Sequence, residues 1–401
     1  MHFQVLGIAV VILLYCYFSA AISRRGITMP MIFLSLGVVF GMSGMHLTHD
    51  SATIFHNLAE MTLALLLFAD ATLLDRNAVE RIGQRAGRML LIGLPIAIGL
   101  GALANWLLLP GWPLWEIFLL AALLAPTDAA LGQSIQSNER IPEIIRDTLN
   151  AESGLNDGLA LPFVIFFAGL AVSANDPELG DGSLLRLVAV QIGLGALVGI
   201  LGGAAAGLLR NFSVERNLID HGLTKVAVLA LVGVIYFAAE HAGGNSFVAV
   251  FVSGIAYANM AKGTVSHARE FIEGDGQFLA ILSFFFIGAL FAPVALENIT
   301  LAGIAVIAVS LFVVRPVVIW LSLVGTDTTP NERLFYGWFG PRGLATALFA
   351  VFVIMDFEHL QRSNPILVTA IAAVLISAFL HGLSAKYAVQ IFRLDSADKD
   401  S

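Results

Sequence analysis

The hydrophobic positions of this chain are grouped into long runs instead of alternating with polar positions. A helix needs about 20 mostly apolar residues to cross the hydrocarbon layer of a membrane, and such runs are rare in soluble domains. The pattern therefore predicts an all-α polytopic membrane protein with about thirteen transmembrane helices. The predicted spans lie near residues 5–22, 28–45, 55–74, 89–109, 114–136, 144–173, 184–209, 222–240, 245–261, 268–292, 298–324, 333–355 and 365–391.

The composition agrees with a membrane location and excludes two other classes of protein. Hydrophobic residues make up 58% of the 401 residues and charged residues 12%, about half the charged fraction of a soluble domain. Cys16 is the single cysteine and lies within an apolar run, which excludes a disulfide-stapled secreted module. The net charge of −8 comes without a basic patch, so nucleic acid is not an expected partner.

The basic residues predict the orientation of the chain. About 17 of the 21 Lys and Arg residues fall on one side of the predicted spans, whereas Arg186 and Arg362 fall on the other. Basic loops face the cytoplasm, so we expect the N-terminus outside and the C-terminus inside. The first span lacks a basic leader and a cleavage site, so it is expected to be retained. We expect one transmembrane domain, residues 1–393, and a short cytoplasmic tail, residues 394–401.

Six charged residues lie deep within the predicted spans. Each charge at the centre of a bilayer costs at least ~2.5–3.5 kcal/mol, so such residues usually line a water-filled path or pair with one another. Four acids against two bases is the composition of a cation site with internal counter-charges. Four other acids lie nearer helix ends, where snorkelling or solvent accounts for them: Glu60, Glu116, Glu240 and Glu273. The six are Asp70, Asp128, Glu152, Asp157, Arg315 and Arg342.

The fifth span is expected to be interrupted near its middle. It contains Pro126, Thr127 and Asp128, and a proline removes a backbone donor and clashes with the preceding turn. The freed backbone groups can bind an ion, and the Thr127 and Asp128 side chains add oxygens. A proline kink with a capping Thr-Asp pair is the alternative interpretation.

The sixth span carries two polar pairs on neighbouring faces of one helix. Ser153 and Asp157 are four residues apart, as are Glu152 and Asn156. We expect Ser153 and Asp157 to face an ion beside Asp128. Glu152 and Asn156 are expected to meet an arginine that holds the helix. A salt bridge and polar helix contacts without a transport role are the alternative, which accounts for Glu152 better than for Asp157.

The eleventh and twelfth spans carry the two deep arginines. Pro316 follows Arg315, and the stretch Gly340–Gly343 surrounds Arg342 with glycine and proline, which indicates a second interrupted helix. Spans five and twelve stand at matching positions if spans one to six and eight to thirteen form two halves. Two six-helix halves around a single span must insert with opposite topology, so the sequence predicts inverted repeats whose interrupted helices cross.

The Pro-Thr-Asp string at 126–128 followed by Glu-Ser-Gly-Leu-Asn-Asp at 152–157 resembles the NhaP-like and eukaryotic NHE-like branch of the monovalent cation/proton antiporters, the sodium/hydrogen exchangers. Arg315 and the Gly-Pro-Arg-Gly of 340–343 fit the same pattern. The resemblance implies the NhaA-like antiporter fold. It also implies that Asp157 holds cation and proton in turn, and that Glu152 and Asn156 pair with Arg315 or, as the second candidate, Arg342. The monovalent cation is expected at Asp157 and Asp128, with Thr127 and Ser153 nearby.

The resemblance further implies a homodimer in the lipid bilayer and the exchange of one cation for one proton, without a cofactor. Asn156 stands where another branch carries an acid, which implies electroneutral exchange. Sodium is the first expectation, with potassium or lithium as alternatives. The third span departs from the family pattern because its acid is Asp70, flanked by Ala69 and Ala71, so Asp70 is a candidate for the ion path only. Short loops favour the inner membrane of a bacterium.

Other interpretations of the same sequence are an uncoupled cation channel or carrier, and a transport-inactive sensor with the same fold. An intramembrane serine hydrolase at Ser153-Gly154 is disfavoured because no histidine lies near it in the predicted spans. The glycines of the seventh span predict close helix packing, and a dimer contact is a further interpretation of them. These are Gly193, Gly195, Gly199, Gly202 and Gly203.

Overall fold

The computed structural model describes residues 2–23, 25–43, 49–74, 78–128, 131–132, 135, 138, 140–175, 183–220, 223–261, 276–357 and 359–392. These residues form helices and short connections, and no strand occurs among them. The helices are α1 (His2–Ser23), α2 (Met29–Met42), α3 (His49–Ala71), α4 (78–108), α5 (Leu114–Leu123), α6 (Glu143–Asn175), α7 (Ser183–Glu215), α8 (Thr224–His241), α9 (Ser246–Met260), α10 (Gln277–Asn298), α11 (Leu301–Ser322), α12 (Pro330–Trp338), α13 (Leu344–Asp356), α14 (Ser363–Ala385) and α15 (Ala388–Phe392).

The all-α membrane fold is confirmed. Within the described residues, eight helices are long and apolar enough to cross a membrane, and four shorter apolar helices accompany them. Each predicted span corresponds to a helix, or to the two halves of one, in the described part of the chain. The predicted orientation and the inverted relation of the two halves stay predictions.

Several helix ends differ from the predicted boundaries. Helix α3 begins six residues before the predicted span, because its polar turns continue beyond its apolar part. Helix α4 begins at 78 instead of 89, but a kink at Gly83, whose φ is 67°, separates its first turn from the membrane span. The predicted start of the tenth span at 268 lies outside the described residues, and α10 ends at Asn298 instead of 292. The thirteenth span ends at Ala385, and the residues up to 391 belong partly to the separate helix α15.

Three helices contain a π turn directly before a proline. The residue before Pro95, Pro293 or Pro316 donates its amide to the carbonyl five positions back, to Met89, Ile287 or Ser310. A proline cannot donate to the carbonyl four positions back and clashes with it, so one extra residue per turn relieves the conflict without breaking the helix. In α11 this turn immediately precedes Arg315 and shifts the helical register at that residue.

Two segments are interrupted, as the crossed broken helices of the expected fold require. Helix α5 ends at Leu123, and the chain continues without helix to Asp128. Residues 339–343 separate α12 from α13. The two interruptions touch, because the amide of Asp128 donates to the carbonyl oxygen of Pro341 at 2.9 Å.

Helix α9 contacts α3, α7 and α8, which together with it form a first group of helices, and it also contacts α6. A second group contains α4, α5, α6, α11, α12, α13 and α14. Helices α6 and α13 of the second group contact α3 of the first, and α6 also contacts α7. The two interrupted segments therefore lie within one helix group, and the other group supplies the facing surface.

A stripe of glycines on α7 allows it to lie directly on the backbone of α9. A Cβ atom added at Gly195, Gly199, Gly203 or Gly207 would meet a main-chain oxygen of α9 or of the residue before it; the oxygens belong, in the same order, to Asn245, Ala249, Ser253 and Tyr257. This contact occupies the stripe within one chain, so a dimer contact would have to use another face of α7. Gly193 lies against open space and Gly202 faces Ile235 of α8, so the expectation of close packing at Gly193 was wrong. The stripe consists of Gly195, Gly199, Gly203 and Gly207.

Replacing Gly203 by valine should destabilise the protein by about 1–3 kcal/mol, because the new side chain would push α7 away from the Ser253 backbone. The measurement is the thermal unfolding midpoint of the purified protein in detergent. Gly193→Val is the matched control, since a side chain there meets nothing within 4 Å. Equal midpoints for the two variants would contradict the proposed role of the stripe.

Candidate functional site: the crossing of two interrupted helices

The crossing brings unpaired helix ends into the middle of the protein. The last carbonyls of a helix and its first amides have no partner within the helix, and leaving them unpaired in an apolar environment is costly. At the end of α5, Pro126 cannot continue the helix, and Thr127 and Asp128 follow it into a buried position. Nearby side chains must therefore satisfy these groups.

Asp128 caps the beginning of α13. Its Oδ2 accepts a hydrogen bond from the amide of Leu344, the first residue of α13, and its Oδ1 accepts from the amide of Leu131 at 3.1 Å. A carboxylate at the start of a helix is favoured because the helix dipole is positive there. Both oxygens of Asp128 are thus held by backbone amides.

Arg342 does the converse at the end of α5. Its Nη1 lies 3.3 Å from the carbonyl oxygens of Ala125 and Pro126, and 3.2 Å from that of Gly340. The side chain is 2% exposed, so its positive charge is buried at the negative end of the α5 dipole. Each interrupted segment therefore supplies the charge that caps the other.

Glu152 of α6 and Arg315 of α11 form a buried, two-pronged ion pair. The Nη1–Oε1 distance is 2.7 Å and the Nη2–Oε2 distance is 3.1 Å, and the two residues are 6% (Arg315) and 1% (Glu152) exposed. Nη2 of Arg315 also lies 3.3 Å from the carbonyl oxygen of Tyr336 in α12. The structure thus pairs Glu152 with Arg315, while Arg342 binds the carbonyl oxygens of Ala125 and Pro126, which follow α5.

Thr127 and Asn156 complete the polar surroundings of Glu152. The Thr127 hydroxyl lies 3.1 Å from Oε2 of Glu152 and 3.3 Å from Oγ of Ser153. Nδ2 of Asn156 donates to Oε1 of Glu152 at 3.2 Å and lies 3.3 Å from the Thr127 hydroxyl. Asn156 therefore reaches Arg315 through Glu152. This network ties the interrupted fifth span to α6.

Asp157 is the acid of α6 that the network leaves available. Its side chain is half-buried, and its buried Oδ1 accepts no hydrogen bond within the part of the chain that the structure describes. Ser153, one turn earlier, brings a hydroxyl to the same face of α6. A buried carboxylate oxygen without a donor is costly unless a proton or a cation occupies it.

Asp70 of α3 approaches this face from the other helix group. A Cβ atom added at Gly154 of α6 would lie 3.5 Å from Oδ1 of Asp70. The carboxylates of Asp70, Asp128 and Asp157 are also close enough to repel one another electrostatically. The structure therefore brings the unusual acid of the third span to the same region as the two expected ligands.

Two glycines of the second interruption make room for the charged groups. A Cβ atom at Gly343 would overlap the carboxyl group of Asp128, and one at Gly340 would overlap the guanidinium group of Arg315. Glycine is needed at both positions because the charged side chains lie directly against the backbone. The Gly-Pro-Arg-Gly pattern thus has a steric cause as well as a conformational one.

Sequence reasoning missed two residues at the crossing, Ser377 and His381, and misplaced Glu116 at the other end of α5. Ser377 of α14 accepts a hydrogen bond from the amide of Arg342 at 2.7 Å, and His381 lies 2.9 Å from the Ser377 hydroxyl. Glu116, expected near solvent, is fully buried and accepts from the amides of Gln361 and Arg362 at 2.7 and 2.9 Å, so that expectation was wrong. For Ser377 and His381 a signal was available in the sequence, because Ser377, His381 and Ser384 follow one another at intervals that place them on one face of an otherwise apolar span.

The charges of the site divide into fixed and available groups. Asp128 is engaged by helix amides, Glu152 by Arg315, and Arg342 by carbonyls. Asp157 and Asp70 form no ion pair with a basic residue in the described part of the chain, so the four acids exceed the two bases, Arg315 and Arg342, by two. A surplus of negative charge beside hydroxyl and carbonyl oxygens suits a small hard cation.

An all-helical membrane protein whose interrupted helices cross around buried carboxylates has the architecture of a secondary transporter. The sequence profile of the family described as "Sodium/hydrogen exchanger, transmembrane" matches residues 8–390. The chain belongs to this family, which consists of transporters and not of enzymes. The resemblance seen in the sequence motifs is thereby confirmed.

Named relatives agree with this assignment. The K(+)/H(+) antiporter NhaP2 of Shewanella sp. (strain ANA-3) is 28% identical over 386 residues, which cover 95% of this chain and 65% of the relative. The K(+)/H(+) antiporter NhaP of Alkalimonas amylolytica is 27% identical over 356 residues, which cover 88% of this chain and 60% of that protein. The chain thus spans about two thirds of the length of these relatives or slightly less.

The fold has a counterpart among solved structures. The sodium proton antiporter MjNhaP1 from Methanocaldococcus jannaschii, at pH 8, superposes with a TM-score of 0.75 at 20% sequence identity. The match covers 95% of this chain and 99% of that one. The similarity establishes the antiporter fold for this chain.

Breaking the Glu152–Arg315 pair should destabilise the protein by about 3–5 kcal/mol, because the remaining partner would be buried without a counter-charge. The measurement is a double-mutant cycle of Glu152→Gln and Arg315→Gln, followed by thermal unfolding in detergent. Because the two single changes share one interaction, the double variant should lose less stability than their sum.

The surface pair of Arg85 and Asp327 provides the control. The hydrogen bond and the charge of Arg85 hold the pKa of Asp327 below its usual value, but the Asp327 side chain is 77% exposed. Asp327→Asn should therefore change stability by no more than about 1 kcal/mol. If Glu152→Gln were as mild as Asp327→Asn, the buried pair would not hold the crossing together.

Proposed function

We propose that this protein is a secondary transporter that exchanges a monovalent cation for a proton by alternating access. The observation that carries the proposal is the unsatisfied buried oxygen of Asp157 beside a crossing in which Asp128 and Glu152 are already engaged. Such an oxygen needs a proton or a cation, and it can accept either. The family of the chain supports the same function.

In this mechanism the fixed and available carboxylates have different tasks. Asp157 is the exchanging group, and the oxygens of Ser153 and Thr127 and the remaining lone pairs of Asp128 complete the cation site. An ionised carboxylate offers about four acceptor positions, so Asp128 can cap α13 and still contact an ion. Glu152, Asn156 and Arg315 hold α6 in place, and Arg342 holds the end of α5.

Coupling follows from the cost of moving an uncompensated charge. When Asp157 is ionised and empty, carrying it past apolar surface is unfavourable, whereas a bound proton or cation neutralises it. Only the occupied site then moves between the two sides of the membrane. Because one carboxylate holds one ion at a time, cation and proton travel in opposite directions.

The stoichiometry of the proposal rests on Asn156. Its amide donates to Glu152 and Thr127 and carries no titratable proton, so Asp157 is the one exchanging acid on this face of α6. One cation is then exchanged for one proton, without net movement of charge. Asp70, which faces α6 from α3, is proposed to assist entry of the ion without adding a second coupled proton.

Sodium is the proposed cation, with potassium and lithium as alternatives. The named relatives include K(+)/H(+) antiporters and a sodium proton antiporter, so their names support a monovalent cation and leave the choice to experiment. Selectivity depends on the size and geometry of the oxygen cage. No cofactor is proposed, because protons and alkali cations need only oxygen ligands.

The surroundings of the protein are also proposed. The exposed apolar side chains of α1, such as Leu13, Leu14 and Phe18, suit lipid or a second copy of the chain, and we propose a homodimer in the bilayer. The bacterial relatives support the plasma membrane of a bacterium as its location. Nucleic acid is not among the proposed partners.

Asp157→Asn should abolish cation-dependent proton movement while the protein still folds, because an amide can hold neither an exchangeable proton nor a compensating charge. The measurement uses proteoliposomes with an interior pH dye and added sodium, potassium or lithium. The control is Asp327→Asn, which removes an exposed carboxylate that pairs with Arg85, and this variant should exchange normally. Undiminished exchange by Asp157→Asn would refute Asp157 as the exchanging group.

Asn156→Asp should make the exchange respond to membrane potential, because a second acid at the crossing can carry a second proton. The rate is compared with and without a potassium–valinomycin clamp of the potential, using sodium as the cation. The unmodified protein should be insensitive to the clamp. A potential-dependent signal from the unmodified protein would contradict one-to-one exchange, and a signal without any proton movement would favour an uncoupled carrier.

A further inference from the structure

Helix α14 carries a polar stripe that the proposed mechanism does not use. Ser377, His381 and Ser384 follow one another at intervals of four and three residues and therefore share one face of the helix. Ser377 and His381 are buried, and the stripe faces the interruption between α12 and α13. Buried polar side chains in an apolar span are costly unless they are engaged.

The stripe holds both sides of the interruption. On the side of α13, the Ser377 hydroxyl accepts from the amide of Arg342 at 2.7 Å. On the side of α12, the indole Nε1 of Trp338 donates to the Ser384 hydroxyl at 3.0 Å. His381 lies between these contacts, with its ring 5.7 Å from that of Trp338. The non-helical residues 339–343 are thus spanned by a rigid helix.

The Arg342 amide needs this partner because no helical bond is available to it. The residues around it are held by Asp128. The main-chain amide of Asp128 donates to the carbonyl oxygen of Pro341, and its carboxylate accepts from the amide of Leu344. Ser377 therefore binds the main chain between the two positions that Asp128 binds, and it does so with an uncharged hydroxyl group. If the hydrogen bond from Arg342 to Ser377 is lost, residues 339–343 can shift relative to Asp128 and change the geometry of the cation site.

His381 orients the Ser377 hydroxyl. Its Nδ1 lies 2.9 Å from Oγ and 3.0 Å from the carbonyl oxygen of Ser377, so the imidazole engages this residue in either neutral tautomer. Two charged groups act on the ring, Arg342 in the interruption and Arg315 of α11, and both are positive. The ring therefore acts as a neutral hydrogen-bonding group.

Helix α14 is also tied to the other interrupted segment. Glu116 in the first turn of α5 accepts from the amides of Gln361 and Arg362, directly before α14 begins. The helix dipole favours a carboxylate at this end. Helix α14 thus contacts the beginning of α5 through the residues directly before its first turn, and it contacts the second interruption through its polar stripe. It thereby fixes the position of α5 relative to the second interruption.

We propose that Ser377 and His381 are positioning residues for the cation site, which hold the Arg342 amide so that the Pro341 carbonyl and the α13 cap stay aligned with Asp128. The proposal rests on the proposed cation/proton exchange at Asp157. Neither residue contacts the cation itself. Their removal should therefore weaken cation binding while exchange at saturating cation concentration persists.

The test measures sodium-dependent proton movement in proteoliposomes over a range of sodium concentrations. Ser377→Ala should raise the half-saturating concentration at least about threefold, since a buried amide loses its partner, and should leave the maximal rate within about twofold. Thr369→Val is the matched control on the same helix, because its hydroxyl donates to the Pro365 carbonyl one turn back and is not part of the polar stripe. A half-saturating concentration equal to that of the unmodified protein would overturn the proposal.

Two replacements of His381 separate positioning from titration. His381→Leu should raise the half-saturating concentration as Ser377→Ala does, whereas His381→Asn keeps a polar group near the position of Nδ1 and should restore it. The pH profile of His381→Asn should coincide with that of the unmodified protein. A shifted profile would make His381 a proton-exchanging group and would overturn the neutral role assigned to it.

A second measurement is independent of transport and of folding yield. Sodium should raise the thermal unfolding midpoint of the unmodified protein in detergent relative to choline, because a bound ion stabilises the folded state. In Ser377→Ala the same stabilisation should need at least about threefold more sodium. An unchanged requirement overturns the positioning role, whereas failure of the unmodified protein to exchange any cation for protons overturns the proposed function instead.

Discussion

The structure depends on pairing the backbone ends that two interrupted helices leave inside the protein. Such groups are costly in an apolar interior, and the crossing satisfies them by exchange: Asp128 of the first interruption caps α13, and Arg342 of the second interruption covers the carbonyls after α5. The glycine at 343 is needed because the Asp128 carboxylate lies on its backbone. Neither interruption could be stable in this environment without the other.

This arrangement separates structural charge from available charge. Arg315 neutralises Glu152, and helix amides hold Asp128, so Asp157 remains with a buried oxygen that has no donor among the described residues. Rigid supports matter for such a site because ion selectivity depends on sub-ångström geometry of the ligands. Helix α14 connects the supports, since Glu116 binds one end of it and Ser377 holds the second interruption.

Much of the fold and of the candidate site could be predicted, because membrane-spanning helices need long apolar runs that can be recognised in the sequence. The apolar runs gave the helices, Pro126 and the Gly340–Gly343 stretch marked both interruptions, and the cost of deep charges marked Asp128, Glu152, Asp157, Arg315 and Arg342. Helix ends were less predictable, since hydropathy does not register polar turns. Glu116 was misjudged because its distance from a helix end said nothing about the neighbour that covers it.

By itself, the sequence determined the membrane class, the spans, the two breaks and the residue types available at the crossing, since each follows from local composition and spacing. Only the tertiary structure decided the partners: Arg315 for Glu152, the α5 carbonyls for Arg342, Ser377 for the amide of Arg342, and α9 for the glycine stripe of α7. The reason is physical. Hydrogen bonds and ion pairs act over about 3 Å, and residues that are 35 to 217 positions apart in the sequence come within that distance only when the helices pack.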